Sequence, residues 1–306
     1  MGIFATRWAL FFSFTMALAM PPVSAAATDT PAAHDLEFWR VIVKNRYAVP
    51  AGQRAYPLIE ELSKSLGSTD SELRDDLAYS IIAAWVLHQD LSAAELNSLA
   101  DKWLPNLRSG IGESGTDTAF KRSFSALCLA ELTRRELRTP FLSPERYETT
   151  LADALAYLRD ERDLRGFDPV KGWIHATAHT ADLLANLAAN PLLKPQDQPR
   201  LLEAITVRLS SAHVIFSYGE QDRLSLIAVA LARRKDFDES AFERWLAGLN
   251  TDQKVWEQSP PRDDLLQAFE NDTYLLQALA AHLSAEPESP RISSAQRAVL
   301  KTLERR

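Results

Sequence analysis

Apolar residues recur at steps of three and four positions along nearly the whole chain, and they do not alternate with polar residues. This period places them on one face of a helix, and only ten glycines interrupt the chain. The sequence has no run typical of a strand. The pattern predicts about twelve helices, over residues 36–46, 53–65, 70–88, 93–108, 117–136, 144–161, 173–190, 197–212, 222–235, 239–249, 262–284 and 293–304.

Capping residues precede several of these segments and support their starts. A Ser, Thr or Asp side chain accepts a hydrogen bond from the first turn of a helix, and proline is favoured at the first helical position. The predicted start signals are Thr69 with Glu72, Ser92 with Glu95, Ser143 before Pro144, Asp238, and Ser293 with Gln296.

Four of the predicted helices begin with polar residues and then become apolar. Their polar starts contain Arg74, Arg122, His175 and Arg223, which follow one another at intervals of 48, 53 and 48 residues. A period of about 40–50 residues with two helices per unit is typical of an α-solenoid of the HEAT or armadillo type. We therefore predict an all-α protein, an α-α superhelix of stacked helical hairpins whose polar helix starts share one concave face. A compact helical bundle is the alternative.

The N-terminal residues predict export. Arg7 precedes an apolar run of thirteen residues that a proline pair ends, and small residues follow it. The run is shorter than the ~20 residues of a membrane-spanning helix, and the pattern is that of a cleaved signal peptide, with an uncleaved anchor as the alternative. The expected organisation is a signal peptide over 1–25, a flexible segment over 26–34 and a single all-helical repeat domain over 35–306. The mature protein would be periplasmic if the cell has two membranes.

Composition narrows the choice of partners. The chain has 34 Lys and Arg and 41 Asp and Glu, and loss of Arg7 with the signal leaves 33 against 41, a net charge of −8. Such a surface repels nucleic acid and anionic lipid, so neither a nucleic-acid partner nor stable membrane insertion after signal cleavage is expected. Cys128 is the only cysteine, which excludes an intramolecular disulfide, and its apolar helical context predicts a buried thiol.

Four separated motifs lie within about residues 70–235. They are Arg122-Ser123-Phe124, Glu161-x-Asp163-Leu164-Arg165-Gly166-Phe167, Gly172-Trp173-Ile174-His175-Ala176-x-Ala178-His179-x-Ala181-Asp182-Leu183-Leu184 and Gly219-Glu220-x-Asp222-Arg223-Leu224. Together they resemble a bacterial family catalogued as domain of unknown function 2785. The resemblance implies an all-helical, repeat-like protein with a shared polar surface, and it adds no activity. Thr180 follows His179 where the family pattern leads us to expect glycine.

The third motif contains the strongest candidate for a chemical site. On a helix over 173–190, His175, His179 and Asp182 lie on one face, together with Asn186. Two imidazoles and a carboxylate are ordinary ligands for zinc or a similar divalent metal. The alternative is a polar network in which these side chains bind Arg122, Arg165 or Arg223 and join neighbouring helices.

Two functions stay open at this point. The favoured hypothesis is a binding or scaffolding module of the cell envelope that holds a protein, a peptide or a small polar ligand. The alternative is a metal-dependent hydrolase with His175, His179 and Asp182 as metal ligands, and only this alternative requires a cofactor. The candidate residues of the polar surface are Arg74, Asp76, Arg122, Ser123, Asp163, Arg165, Trp173, His175, His179, Asp182, Glu220, Asp222 and Arg223.

Overall fold

The computed structural model describes residues 34–249, 253–257 and 259–305, so the predicted signal peptide lies outside the described residues. The described chain is mostly helical, which confirms the all-α class. Its twelve α-helices are α1 (Leu36–Lys44), α2 (Ala55–Leu62), α3 (Ser80–His88), α4 (Ala93–Trp103), α5 (Thr118–Glu136), α6 (Pro144–Asp160), α7 (Ala176–Ala189), α8 (Gln198–Ser210), α9 (Glu220–Ala232), α10 (Glu239–Gly248), α11 (Asp263–Ser284) and α12 (Pro290–Leu303).

Several predicted start signals are confirmed. Ser92 and Glu95 form a complete capping box at α4. Ser143 caps α6 ahead of Pro144, and Asp238 caps α10. Two others are wrong. Asp70, not Thr69, accepts from a backbone amide at the start of the third predicted helix, and α12 begins one turn earlier than predicted because Ser289 caps it and Pro290 takes its first position.

Two stretches depart from regular α-helix. Residues Glu72–Tyr79 form a π-helix that runs directly into α3. Two short strands, β1 (Phe167–Asp168) and β2 (Gly172–Trp173), pair antiparallel, with Phe167 opposite Trp173. Each strand has only two residues, which is too short for an alternation of apolar and polar residues to be detected in the sequence.

The predicted helix over 173–190 is therefore wrong at its start. Trp173 lies in β2, and α7 begins only at Ala176. His175 precedes the helix with a left-handed backbone, at φ 50°. Arg74 explains the break, because its guanidinium donates to the carbonyl oxygens of Lys171 at 2.6 Å and of Trp173 at 3.3 Å. Arg74, which is distant in the sequence, thus binds backbone carbonyl groups that would otherwise accept hydrogen bonds within a helix.

Alternate helices pack against one another. α5 lies between α3 and α7, α7 also packs against α9, and α9 packs against α11. α8 packs against both α6 and α10, and α10 packs against α12. One continuous hydrophobic core runs through these layers, with Trp85 and Trp103 fully buried in it. The free thiol of Cys128 is buried there as predicted, and burial raises its pKa.

In residues 34–249, 253–257 and 259–305, no helix is both long and apolar enough to cross a membrane.

Candidate functional site

A cleft of about 840 Å³ opens where the π-helix, α5, α7 and α9 face the β1–β2 hairpin. Each of these elements contributes side chains to its wall. The lining residues are Asp75, Tyr79, Phe124, Leu127, Ala130, Glu131, Arg134, Trp173, His175, His179, Asp182, Ala185, Asn186, Tyr218, Gly219, Asp222, Arg223 and Leu226.

Three aromatic rings cluster at the hairpin side of this cleft. Phe167 and Tyr218 both contact Trp173, with ring centroids 5.0 and 6.2 Å from the indole. The three side chains keep 40–47 % of their surface exposed. Gly166 allows this arrangement, since a Cβ there would lie 2.3 Å from Cδ2 of Tyr218. We call Phe167, Trp173 and Tyr218 the aromatic rim.

His175 packs against the aromatic rim. Its ring stacks on Trp173 with centroids 5.0 Å apart and an interplanar angle of 26°. Burial, aided by the charge of Arg223, lowers the pKa of His175 to about 4, so the ring is neutral at pH 7. Its Nε2 lies 3.7 Å from Oε1 of Glu220, which is too long for a hydrogen bond. Burial also raises the pKa of Glu220.

His179 is held in one tautomer by the neighbouring helix. The hydroxyl of Ser123, on α5, donates to the carbonyl oxygen of Ile174, and Oγ of this serine lies 2.7 Å from Nδ1 of His179. Because that hydroxyl proton is already used, Nδ1 is the donor and Nε2 is the remaining acceptor of the ring. Burial holds the pKa of His179 well below its ordinary value. The ring is therefore neutral. It also lines the cleft.

A partly exposed ion pair joins α7 to α9 on the cleft wall. Arg223 donates to Oδ2 of Asp182. Burial raises the pKa of Asp182 although Arg223 favours its charged form. Asp222, next along α9, lies 2.8 Å from Nε2 of His282 on α11. This part of the wall therefore presents hydrogen-bond donors and acceptors side by side.

Glu131 lies deeper in the cleft and is 9 % exposed. Its Oε1 accepts from the hydroxyl of Tyr79 at 3.1 Å. Its Oε2 has no hydrogen-bond partner within the described part of the chain, and Nη1 of Arg134 is 3.8 Å away. Burial raises the pKa of Glu131. The cleft thus contains a buried carboxyl oxygen whose hydrogen-bonding capacity is unused.

The structure brings six of the thirteen predicted surface residues to the cleft wall. They are Trp173, His175, His179, Asp182, Asp222 and Arg223. Ser123 and Glu220 lie directly behind the two histidines. Asp76 is exposed elsewhere. The remaining four, Arg74, Arg122, Asp163 and Arg165, belong to contacts within the fold.

Arg122 forms a closed ion pair with Glu161. Its Nε and Nη2 donate to the two carboxylate oxygens at 2.7 and 3.0 Å. Nη1 donates to Ser109 O and Thr118 Oγ1, both at 3.0 Å. Glu161 additionally accepts from the backbone amide of Asp163 at 2.9 Å. These bonds fix the chain after α6 against the start of α5, and they leave this arginine inaccessible to a ligand.

Asp163 and Arg165 form a second pair in the same loop, at 2.6 and 2.8 Å. Asp163 also accepts from the amide of Gly115, and Arg165 donates to the carbonyl oxygen of Thr116. The pair therefore ties the loop after α6 to the loop before α5.

Arg74 is wholly buried as well. Besides holding the hairpin, it contacts Asp75 with an N–O distance of 2.7 Å and lies over the ring of Phe120. Asp75, its ion-pair partner, lines the cleft. Arg74 therefore positions two parts of the wall without facing the ligand space itself.

The profile of a protein family of unknown function, DUF2785, matches residues 107–281, more than half of the 306 residues. The chain belongs to this family. The resemblance seen in the four motifs is confirmed, and the DUF2785 match extends further towards the C-terminus than the motifs do. It contains α5, α7 and α9 and therefore most of the cleft wall. Neither the curated proteins nor the solved structures give a match.

In this DUF2785 protein the two histidines and Asp182 are already engaged in separate contacts. His179 is bound by Ser123, Asp182 by Arg223, and His175 lies against Glu220. Across the described ranges, no three His, Cys, Asp or Glu side chains are grouped so that they could hold a metal ion. The contacts leave Nε2 of both rings without a hydrogen bond among the described residues, so a metal site built on these residues would require only Asp182 to exchange its contact with Arg223.

Sequence reasoning missed six polar or aromatic residues of the cleft. They are Asp75, Tyr79, Phe124, Glu131, Arg134 and Tyr218. Helical spacing carried a signal for two of them, since Glu131 and Arg134 follow Phe124 at steps of seven and ten residues and so share its face. Tyr218 had no such signal, because its position depends on the space above Gly166.

Proposed function

We propose that this protein is an exported binding module of the cell envelope and that its cleft holds a small polar ligand. The cleft itself is the observation that carries the proposal. Pockets for small molecules measure about 300–1,000 Å³ and combine apolar walls with a few convergent polar groups. A volume of about 840 Å³, exposed rings and the unused oxygen of Glu131 fit this description.

A small ligand is favoured over a protein or a peptide. Specific protein interfaces are broad and bury about 1,200–2,000 Å² in total. The polar groups here instead converge within a concave space, where Glu131 and His179 are at least nine-tenths buried. Groups at that depth are accessible to a compact molecule that enters the cleft.

The proposal includes the finer architecture, an α-solenoid of stacked hairpins. Its support is the order of packing. Within one layer, α3 packs against α5, α5 against α7, α7 against α9 and α9 against α11. In the same way, α6 packs against α8, α8 against α10 and α10 against α12. A solenoid gives successive repeats a shared concave surface, which accounts for a cleft built from several repeats.

Export is part of the same proposal. Its support is the apolar run, the proline pair and the small residues within residues 1–25. Cell fractionation and N-terminal sequencing test it, since a chain that keeps Met1 and stays in the cytosolic fraction contradicts export.

A thermal-shift screen of the purified protein tests the binding function. The panel contains neutral oligosaccharides, short peptides, polyamines and inorganic phosphate. A ligand that binds only the folded state at a hundred times its Kd stabilises it by about 2.7 kcal/mol, which is a measurable rise in Tm. Arg223→Ala alters the cleft wall, and Arg108→Ala is the matched control because it breaks an ion pair with Asp153 away from the cleft.

We expect at least one compound class to raise the Tm of the parent and of Arg108→Ala but not of Arg223→Ala. If no class raises the Tm of the parent, or if both variants respond like the parent, the cleft is not a binding site for a small polar ligand.

A further inference from the structure

We infer that the ligand of the cleft is a neutral oligosaccharide. The inference rests on the proposed function and names the chemical class of the ligand. Three properties of the cleft support it: the exposed aromatic rings, the pairing of donors with acceptors, and the unused oxygen of Glu131.

The aromatic rim offers a surface suited to a sugar ring. His175 stacks on one face of Trp173, and Phe167 and Tyr218 pack against the indole at interplanar angles of 67° and 88°. Trp173 still keeps 42 % of its surface exposed. Sugar rings carry C–H groups with partial positive charge on one face, and an aromatic face carries the complementary negative charge. Exposed aromatic clusters beside a cleft commonly mark binding sites.

The polar wall indicates a ligand that both donates and accepts hydrogen bonds. Arg223 is paired with Asp182, and Arg134 lies 3.8 Å from Glu131. An anionic ligand would call for unpaired donors, and a cationic ligand for unpaired carboxylates. The charges of Arg223 and Asp182 cancel, and burial disfavours a charge on Glu131. Hydroxyl groups are donors and acceptors at once, so a neutral polyhydroxylated molecule fits both sides of these pairs.

Burial of Arg74 and Arg122 strengthens this point. Both arginines are wholly buried and bound within the fold. Arg134 and Arg223 are the only Lys or Arg residues of the described chain that line the cleft, and each lies beside a carboxyl group, so the cleft lacks the cluster of free cations that recognition of a phosphate or a carboxylate requires.

Glu131 supplies a buried contact point. Leaving a buried polar atom without a partner costs free energy, and its Oε2 has no hydrogen-bond partner among the described residues. A ligand hydroxyl that reaches this oxygen satisfies it. Tyr79, bound to the other carboxyl oxygen, fixes the orientation of the group.

Isothermal titration calorimetry with maltohexaose, cellohexaose and hexa-N-acetylchitohexaose tests the inference. Spermidine, a neutral tripeptide and inorganic phosphate serve as probes of the competing classes. The variants are Trp173→Ala, Tyr218→Ala as a second change to the rim, and Trp256→Ala as the control. Trp256 is 50 % exposed and does not line the cleft. Circular dichroism and Tm establish that each variant is folded.

We expect at least one hexasaccharide to bind the parent and Trp256→Ala alike, with the affinity of a folded rim variant reduced at least about tenfold because the stacking surface is lost. Equal sugar affinity in all variants overturns the inference. Rim-dependent binding of a non-sugar probe without sugar binding also overturns it but leaves the proposed function standing. If no probe of any class binds, both are wrong.

Discussion

Two arginine–carboxylate pairs join neighbouring parts of this protein in opposite settings. Arg122 and Glu161 are 0 % and 3 % exposed, and both groups are engaged in several further hydrogen bonds. Arg223 and Asp182 are 44 % and 18 % exposed and lie on the cleft wall. Both are arginine–carboxylate pairs, yet the closed pair has little hydrogen-bonding capacity left for a ligand and the open pair retains some. Surroundings decide whether such a pair supports the fold or a site.

The largest effect should come from breaking the closed pair. Arg122→Ala leaves Glu161 charged and buried without its main partner, so we expect a loss of about 3–5 kcal/mol in the free energy of unfolding. Arg108→Ala breaks a pair whose arginine is 72 % exposed, and we expect a loss below about 1 kcal/mol. Urea unfolding followed by circular dichroism measures both. Equal midpoints for the two variants would show that the closed pair does not support the fold.

Two glycines beside the cleft allow a finer comparison of closed and open surroundings. Gly172 and Gly219 both have left-handed backbones, at φ 78° and 88°. A Cβ at Gly172 would lie 2.9 Å from Cβ of Ser71, whereas one at Gly219 meets no atom of the described chain within 4 Å.

We therefore expect Gly219→Ala to cost about 1–2 kcal/mol from backbone strain alone. Gly172→Ala adds a steric clash and should cost about 2–4 kcal/mol. Urea midpoints compare the two variants, and a Gly172→Ala variant as stable as Gly219→Ala would contradict the tight packing behind the hairpin.

Local sequence signals were sufficient for the helices. The three- and four-residue period gave twelve helix regions, each of which overlaps one of the observed α-helices, and the start of α4 was predicted from Ser92 and Glu95. Such signals depend only on residues within one or two helical turns, so they can be recognised without knowledge of the fold. They failed at Trp173 and His175, where the conformation depends on Arg74, about a hundred residues earlier in the chain.

The candidate site was predictable only in part for a similar reason. His179, Asp182 and Arg223 were correctly grouped on polar helix starts that the fold brings together. The same reasoning grouped Arg122 with them, although its partner Glu161 lies 39 residues away and removes it from the surface. Sequence spacing identified helix faces, but it did not show which charged residues the neighbouring helices would enclose.

The smallest predicted effect concerns Glu131, which is buried like the closed pair but lies beside the open one. Burial raises its pKa above the ordinary value of 4.5, so the folded state favours the neutral carboxyl. Stability is therefore undiminished below about pH 4.5 and decreases as the pH rises through the folded-state pKa. Glu131→Gln removes this penalty and should raise the free energy of unfolding by about 1 kcal/mol at neutral pH, with the gain vanishing in acid.

Glu95 provides a control of opposite sign. The backbone amide of Ser92 lowers the pKa of this carboxyl, so its contribution is present above the ordinary pKa and is lost as the pH falls. Glu95→Gln should therefore destabilise the protein at neutral pH, and the difference should shrink in acid. Tm measured from pH 4 to pH 8 for both variants tests the pair. If Glu131→Gln and Glu95→Gln changed Tm in the same direction at neutral pH, burial would not be what distinguishes the carboxyl in the cleft from the one at the helix start.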